Sequence, residues 1–309
     1  MMKQRNDNAD ERLLSCFIDA FTPARIVRKG CKIFVQSLKS HLLNTGTIGM
    51  WIINSLKRSI SQRIRKKFEN ADTLSATKLS FLLHDIGKSL ARIELEINEK
   101  EELLEDHYVG HTRRGGKKVS EEKETIERIW GDIKDHYIKF VEIIVRNHHN
   151  YSTEDLLNIF YEIDNIWNVR ASSEEEERIK TTMKGVAPVI LYSLKQADNI
   201  DAILFSYLTT GKYEKEFYGP EYKLNPFNDF MIKFLNPNTV KLQMLGFPYK
   251  EYGCVELKYE YIIIHYDELI KCIKSIDDNK YELNRESLHV LADNVREHRV
   301  KVMIENGNV

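Results

Sequence analysis

Two adjacent pairs, His84-Asp85 in the run LLHDIGK and His148-His149 in the run VRNHHN, are the residues in this chain best suited to chemistry. With His41 upstream, His111 between them and Asp198 downstream in LKQADNID, the sequence holds enough imidazole and carboxylate for two metal ions. Such a set points to metal-assisted hydrolysis of a phosphate ester. Neutral imidazoles hold manganese, nickel, iron, cobalt or zinc without building up negative charge, and one or two carboxylates offset the dication. Successive residues on a helix point about 100° apart, so a doublet cannot aim both side chains at one point but can straddle two ions. Asp85, with two oxygens, is the natural bridge. The expected division is His41, His84, Asp85 and Asp198 around one ion, and Asp85, His111, His148 and His149 around the other. A water between the ions, its pKa lowered by them, is the expected nucleophile.

Each position has a plainer reading. His41, among Leu38, Leu42 and Leu43, equally suits a satisfied core histidine. His107 rivals His111, Asp201 rivals Asp198 one helical turn on, and the histidine pair would also suit a helix C-terminus. Lys88 either contacts a substrate phosphate or pairs with a carboxylate. The basic, Gly-rich stretch VGHTRRGGKK reads as a site loop, in which Arg113, Arg114, Lys117 and Lys118 form an anion-binding rim with the backbone of Gly115 and Gly116. His136, His265, His289 and His298 fall outside the pattern.

The ordered series His41, His84-Asp85, His111, His148-His149, Asp198 resembles the HD superfamily of metal-dependent phosphohydrolases, and HDIGK resembles its multi-metal branches. The order HDxGK, His, His-His, distant Asp is most similar to the HD nuclease of type I CRISPR interference. Asn150-Tyr151-Ser152-Thr153-Glu154 stands where cyclic-dinucleotide phosphodiesterases carry Gly-Tyr-Pro. Lys88-Ser89-Leu90-Ala91 stands where alarmone hydrolases carry Glu-Asp. The resemblance covers about the first two thirds of the chain. It implies a dinuclear centre holding two divalent transition-metal ions, single-stranded DNA as substrate, Asp85 and Lys88 as catalytic groups, and a helicase or effector complex acting in trans. A nucleotide or cyclic-nucleotide phosphohydrolase is the alternative enzyme, and a non-catalytic nucleotide-sensing module the alternative of another class.

At 309 residues, 42% hydrophobic and 30% charged, the chain is ordinary for a globular protein with a substantial core. Four scattered cysteines without CxxC spacing argue against a zinc ribbon or a disulfide scaffold, and a reducing cytoplasm is the expected setting. The opening MMKQRNDNADER does not read as a signal peptide, and no apolar run is long enough to span a bilayer. The net charge of -1 hides an asymmetry: residues 1–80 carry 15 Lys plus Arg against 6 Asp plus Glu, the remainder 31 against 41. Basic residues at Arg25, Arg28, Lys29 and Lys32 and from Lys57 to Lys67, interleaved with Phe34, Trp51 and Phe68, suit a polyphosphate backbone.

Apolar residues recur at helical spacing through most of the first two thirds, which predicts a mainly α chain with an HD-type helical domain over 1–215. Ser172 and Ser173 before four Glu residues predict a helix start. Turn formers at Tyr218-Gly219-Pro220 and Asn225-Pro226 introduce a small C-terminal α+β appendage over 216–309. Its expected strands are Val240 to Phe247 and Val255 to Tyr266, and its expected helices Glu268 to Ile276 and Glu286 to Arg299.

Overall fold

A computed structural model describes residues 6–18, 20–56, 60–97, 103–131, 133–150, 152–167, 173–211 and 255–304. Helices dominate the N-terminal part, as expected. They are α1 (Asn6–Phe17), α2 (Leu38–Leu56), α3 (Gln62–Lys67), α4 (Ala71–Leu83), α5 (His111–Glu121), α6 (Lys123–Trp130), α7 (Asp135–Arg146), α8 (Thr153–Asp164) and α9 (Glu174–Thr210). Local chemistry sets their ends. Asn70 caps α4 by accepting from the Thr73 N–H, and Ser173 begins the 37-residue α9 with a reciprocal capping box to Glu176. Gly211, at φ 72°, closes α9 in the left-handed conformation.

The helices bury one core around Leu42, Leu79, Phe81, Phe140, Ile144 and Ile190. Within it α2 lies tight against α4: a side chain in place of Gly49 would stand 2.5 Å from the Phe81 ring. That approach brings His41, on the first turn and a half of α2, toward His84 at the end of α4.

The first two thirds are not wholly helical. Strands β1 (Pro23–Lys29) and β2 (Lys32–Ser37) form a hairpin across Gly30-Cys31, with Gly30 at φ 60°. Strands β3 (Arg92–Ile97) and β4 (Leu103–Val109) form a second antiparallel pair. The run RIELEI alternates, while Ile26-Val27 and Ile33-Phe34-Val35 are short continuous apolar runs buried on both faces of their sheet.

The C-terminal residues are α+β, as expected, with β5 (Val255–His265), α10 (Tyr266–Lys271), β6 (Ile273–Asp277), β7 (Lys280–Leu283), α11 (Arg285–Asp293) and β8 (Glu297–Ile304). The two expected helices are shorter than their spans. Residues 273–277 pair with β7 and residues 297–304 with β5, so backbone pairing claims what the side-chain pattern assigned to helix. The expected strand Val240 to Phe247 and both turn signals lie outside the described residues.

Both sheets join strands from the two ends of the chain. One runs β1-β2-β5-β8 and the other β4-β3-β7-β6, all neighbours antiparallel. The first sheet packs Val27, Phe34, Leu257 and Tyr259 against Ile48, Ile52, Ala197 and Phe205 of α2 and α9. Its other face, through Ile26, Ile33 and Ile262, meets Ile93, Leu95 and Leu283 of the second sheet.

These packings correct three expectations. Phe34 and Phe68 are buried in cores, and Trp51 packs partly buried beside the first sheet, so the two phenylalanines do not interleave with the basic residues on a surface. Arg25 turns inward, and Arg28 lies 3.8 Å over the Tyr266 ring. The stretch VGHTRRGGKK is not a site loop: from His111 on it is helix α5, and buried Gly115 and Gly116 seat it against α7 instead of offering free backbone N–H groups. No helix among the described residues is long and apolar enough to cross a membrane.

Candidate metal centre

His84 caps α4 at its C-terminus, and Asp85 follows it into a short 3-10 turn over Ile86–Ser89. Gly87 does not stop the helix through a left-handed φ. Its role is close approach: a Cβ there would lie 1.9 Å from the His111 carbonyl oxygen and 2.5 Å from the Gly115 nitrogen. The turn therefore rests directly on the first turn of α5, and this contact sets His111 beside Asp85.

Three histidines share one local device. His84 Nδ1 donates to Phe81 O at 3.0 Å, His111 Nδ1 to Tyr108 O at 2.7 Å and His148 Nδ1 to Val145 O at 2.6 Å, each to the carbonyl three residues before. A carbonyl only accepts, so Nδ1 carries a proton, and in the neutral ring Nε2 keeps its lone pair. Those Nε2 atoms point at Asp85, 3.5 Å from Oδ2 for His84 and 3.2 Å from Oδ1 for both His111 and His148. Lone pairs aimed at a carboxylate repel it, and the arrangement makes physical sense around cations. His84 Nε2, His148 Nε2 and Asp85 Oδ1 are buried without a hydrogen-bond partner, as expected of metal ligands.

His41 is oriented differently. Its Nδ1 meets Asp201 Oδ2 at 2.7 Å, which leaves Nε2 3.2 Å from Asp85 Oδ2 and 3.5 Å from Asp198 Oδ1. The carboxylate-histidine pair is the support a ligating imidazole needs. Asp198 and Asp201 thus divide the work between them: one reaches the centre and the other stands behind His41. His107, on β4, lies 3.8 Å from Glu96 Oε2 and takes no part.

The ligand atoms fall into two groups, His41, His84, Asp85, Asp198 and Asp85, His111, His148, His149, each within 4.8 Å of one another. Asp85 belongs to both, one oxygen to each. The electrostatics put His84 and Asp85 in their ligating forms, whereas the carboxylates around His41 favour its protonated form in the absence of a metal. Burial pushes the His84 pKa down to about 3, so its imidazole is neutral. Burial works against ionised Asp85, but the Lys88 ammonium beside it outweighs burial and holds the carboxyl well below the usual range. Burial likewise opposes charge on His41, yet hydrogen bonds to Asp201 and Asp85 raise its pKa.

Two protein cations complete the site. Lys88 Nζ is 2.7 Å from Asp85 Oδ2 and donates to Ala24 O at 3.1 Å. Arg25, from β1, donates to Asp198 Oδ1 at 2.5 Å. Arg113 and Arg114 are exposed on α5, and Arg114 donates to Leu90 O at 2.7 Å. Sequence reasoning placed Arg25 in a surface patch and did not single out Arg285. The guanidinium of Arg285 donates to the carbonyls of Lys88, Ser89 and Ala91, and so closes the end of the 3-10 turn. The alternation in PARIVRK puts Arg25 on the same strand face as Val27, which packs toward α9, and so carried a signal. Nothing in the sequence near Arg285 did.

The match to the HD domain family model spans residues 38–202, more than half the chain, and includes every residue of both groups. The chain belongs to the HD domain family, and its His/Asp centre makes it a metal-dependent hydrolase. Comparison with curated proteins and with solved structures gave no match.

Two consequences are testable on the supporting residues. Asp201→Asn is expected to weaken metal affinity by about 10- to 100-fold through loss of the His41 orienter, read by chelator competition. Arg285→Ala is expected to cost about 2 kcal/mol in urea unfolding, because charge-assisted bonds to three carbonyls disappear.

Proposed function

We propose that this protein is a phosphodiesterase with a dinuclear centre, holding two divalent transition-metal ions, and that it acts as a nuclease on single-stranded DNA. The observation that carries the reading is the convergence of imidazole nitrogens on both oxygens of Asp85. Divalent ions bound there would supply a water of lowered pKa and polarise a phosphoryl oxygen. His84, His111 and His148 present Nε2 atoms already oriented by their own backbone carbonyls. Asp85 serves both halves with one oxygen each. Lys88, held between Asp85 and Ala24, keeps a positive charge beside the place where negative charge develops on the phosphate. Asp198 and the solvent-facing His149 mark the open edge, and exposed Arg113 and Arg114 lie on the helix that begins with His111, within reach of flanking phosphates.

The test is degradation of circular single-stranded DNA by the purified protein with manganese or nickel, beside Asp85→Ala and a panel of nucleotides and cyclic nucleotides. Cutting by the wild type and not by the variant supports the nuclease, and a partner helicase in trans becomes the next question. Turnover of a free nucleotide alone reassigns the site to small-molecule phosphohydrolysis. Metal uptake with no turnover of either points to a sensing module.

A further inference from the structure

The two halves of the centre differ in the cations that the protein itself supplies. On the side of His111, His148 and His149, Asp85 Oδ1 faces ring nitrogens, and it is buried without a hydrogen-bond partner. On the side of His41 and His84, Asp85 Oδ2 lies 2.7 Å from Lys88 Nζ and Asp198 Oδ1 lies 2.5 Å from Arg25 Nη2. Both carboxylates of that half are therefore already matched by a positive side chain.

Resting on the dinuclear reading above, we infer that Arg25 is an internal competitor for one of the two ions. The half built on His111, His148 and His149 fills first and tightly. The half built on His41 and His84 fills weakly, because an ion there must share or take Asp198 Oδ1 from a guanidinium. Arg25 suits this part. It reaches the centre from β1, outside the helices that carry the ligands, and its side chain and that of Asp198 are only 17% and 21% exposed. Solvent screening of its charge is accordingly weak. Its remaining contact to that residue is a long one, Nη2 to Asp198 O at 3.4 Å, and its buried Nε has no hydrogen-bond partner. Asp198 is thus its principal anchor, so guanidinium and metal contend for one oxygen. A brace and a competitor differ in sign: removing a brace weakens metal binding, while removing a competing charge strengthens it.

Calorimetric titration of the full chain with manganese, with metal analysis after dialysis, decides between them. The wild type is expected to show two classes of site separated by about tenfold or more in Kd. His149→Ala should remove the tight class and His84→Ala the weak one. Arg25→Gln should tighten the weak class by about tenfold and leave the other unchanged, while Arg25→Lys, which keeps the charge, should leave it weak. Equal affinities in the wild type, or weaker binding by Arg25→Gln, would overturn the inference and leave the dinuclear centre standing. Should Arg25→Gln fail to fold, the histidine variants still decide, since loss of the tight class from His84→Ala reverses the assignment. A wild type that binds no second ion at any concentration removes the dinuclear reading itself.

Discussion

The Asp85→Ala protein is expected to retain no metal after dialysis and to hydrolyse none of the wild type's substrates. Most metal ligands lie in one half of a site, but Asp85 lies in both, with Oδ1 3.2 Å from His111 and His148 and Oδ2 3.2 Å from His41. Its removal leaves each half with imidazoles alone, or with imidazoles and the arginine-bound Asp198, and no carboxylate shared between the halves. The loss should exceed the roughly 10- to 100-fold typical of outer-shell partners. A second effect accompanies it. Lys88 is buried and paired with Asp85, so the alanine protein carries an uncompensated ammonium at a cost of about 3–5 kcal/mol. Metal analysis must therefore be read beside a urea melt. The double variant Asp85→Ala with Lys88→Met removes the orphaned charge and is expected to recover stability without recovering metal. An Asp85→Ala protein that still carries two ions per chain would contradict the bridging role.

Gly87→Ala is expected to destabilise the fold by about 3 kcal/mol or more and to weaken metal binding in the half that contains His111. The added methyl would meet backbone atoms, at 1.9 Å from His111 O and 2.5 Å from Gly115 N, and backbone of a helix cannot rotate aside as a side chain can. Helix α5 must then move away from the 3-10 turn, carrying His111 from Asp85. Urea unfolding gives the first quantity and manganese titration the second. A variant of wild-type stability would show that α5 can slide freely over the turn. Gly131 makes a useful control for alanine substitution, because nothing lies within 4 Å of its Cβ position; its φ of 85° alone should cost stability there without touching metal affinity.

Much of the centre was legible from residue type and order. Adjacent His-Asp and His-His pairs, each after an apolar helical run, announce ligands at helix ends, because a backbone carbonyl three residues back can lock each ring. The structure shows that lock at His84 and His148. His41 was equally readable as a core histidine, and it is in fact fully buried; the Asp201 pairing makes it a ligand candidate. The glycines of VGHTRRGGKK misled because close packing and loop freedom call for the same residue. The hairpins before α2 and α5 went unread because short apolar runs carry a weaker signal than long helical ones, and the strands that complete their sheets, β5 and β7, lie far along the chain.

The sequence by itself determined the family and the helical scaffold and named the candidate ligands, since side-chain chemistry and helical periodicity are local and survive without knowledge of neighbours. Tertiary structure decided how charge is distributed within the centre. Arg25 on β1 meets Asp198 on α9 from 173 positions away, and Arg285 at the start of α11 closes a turn nearly 200 positions earlier. Long-range contacts of this kind leave no periodic trace, because which arginine meets which oxygen depends on how distant elements pack and not on the residue's own type.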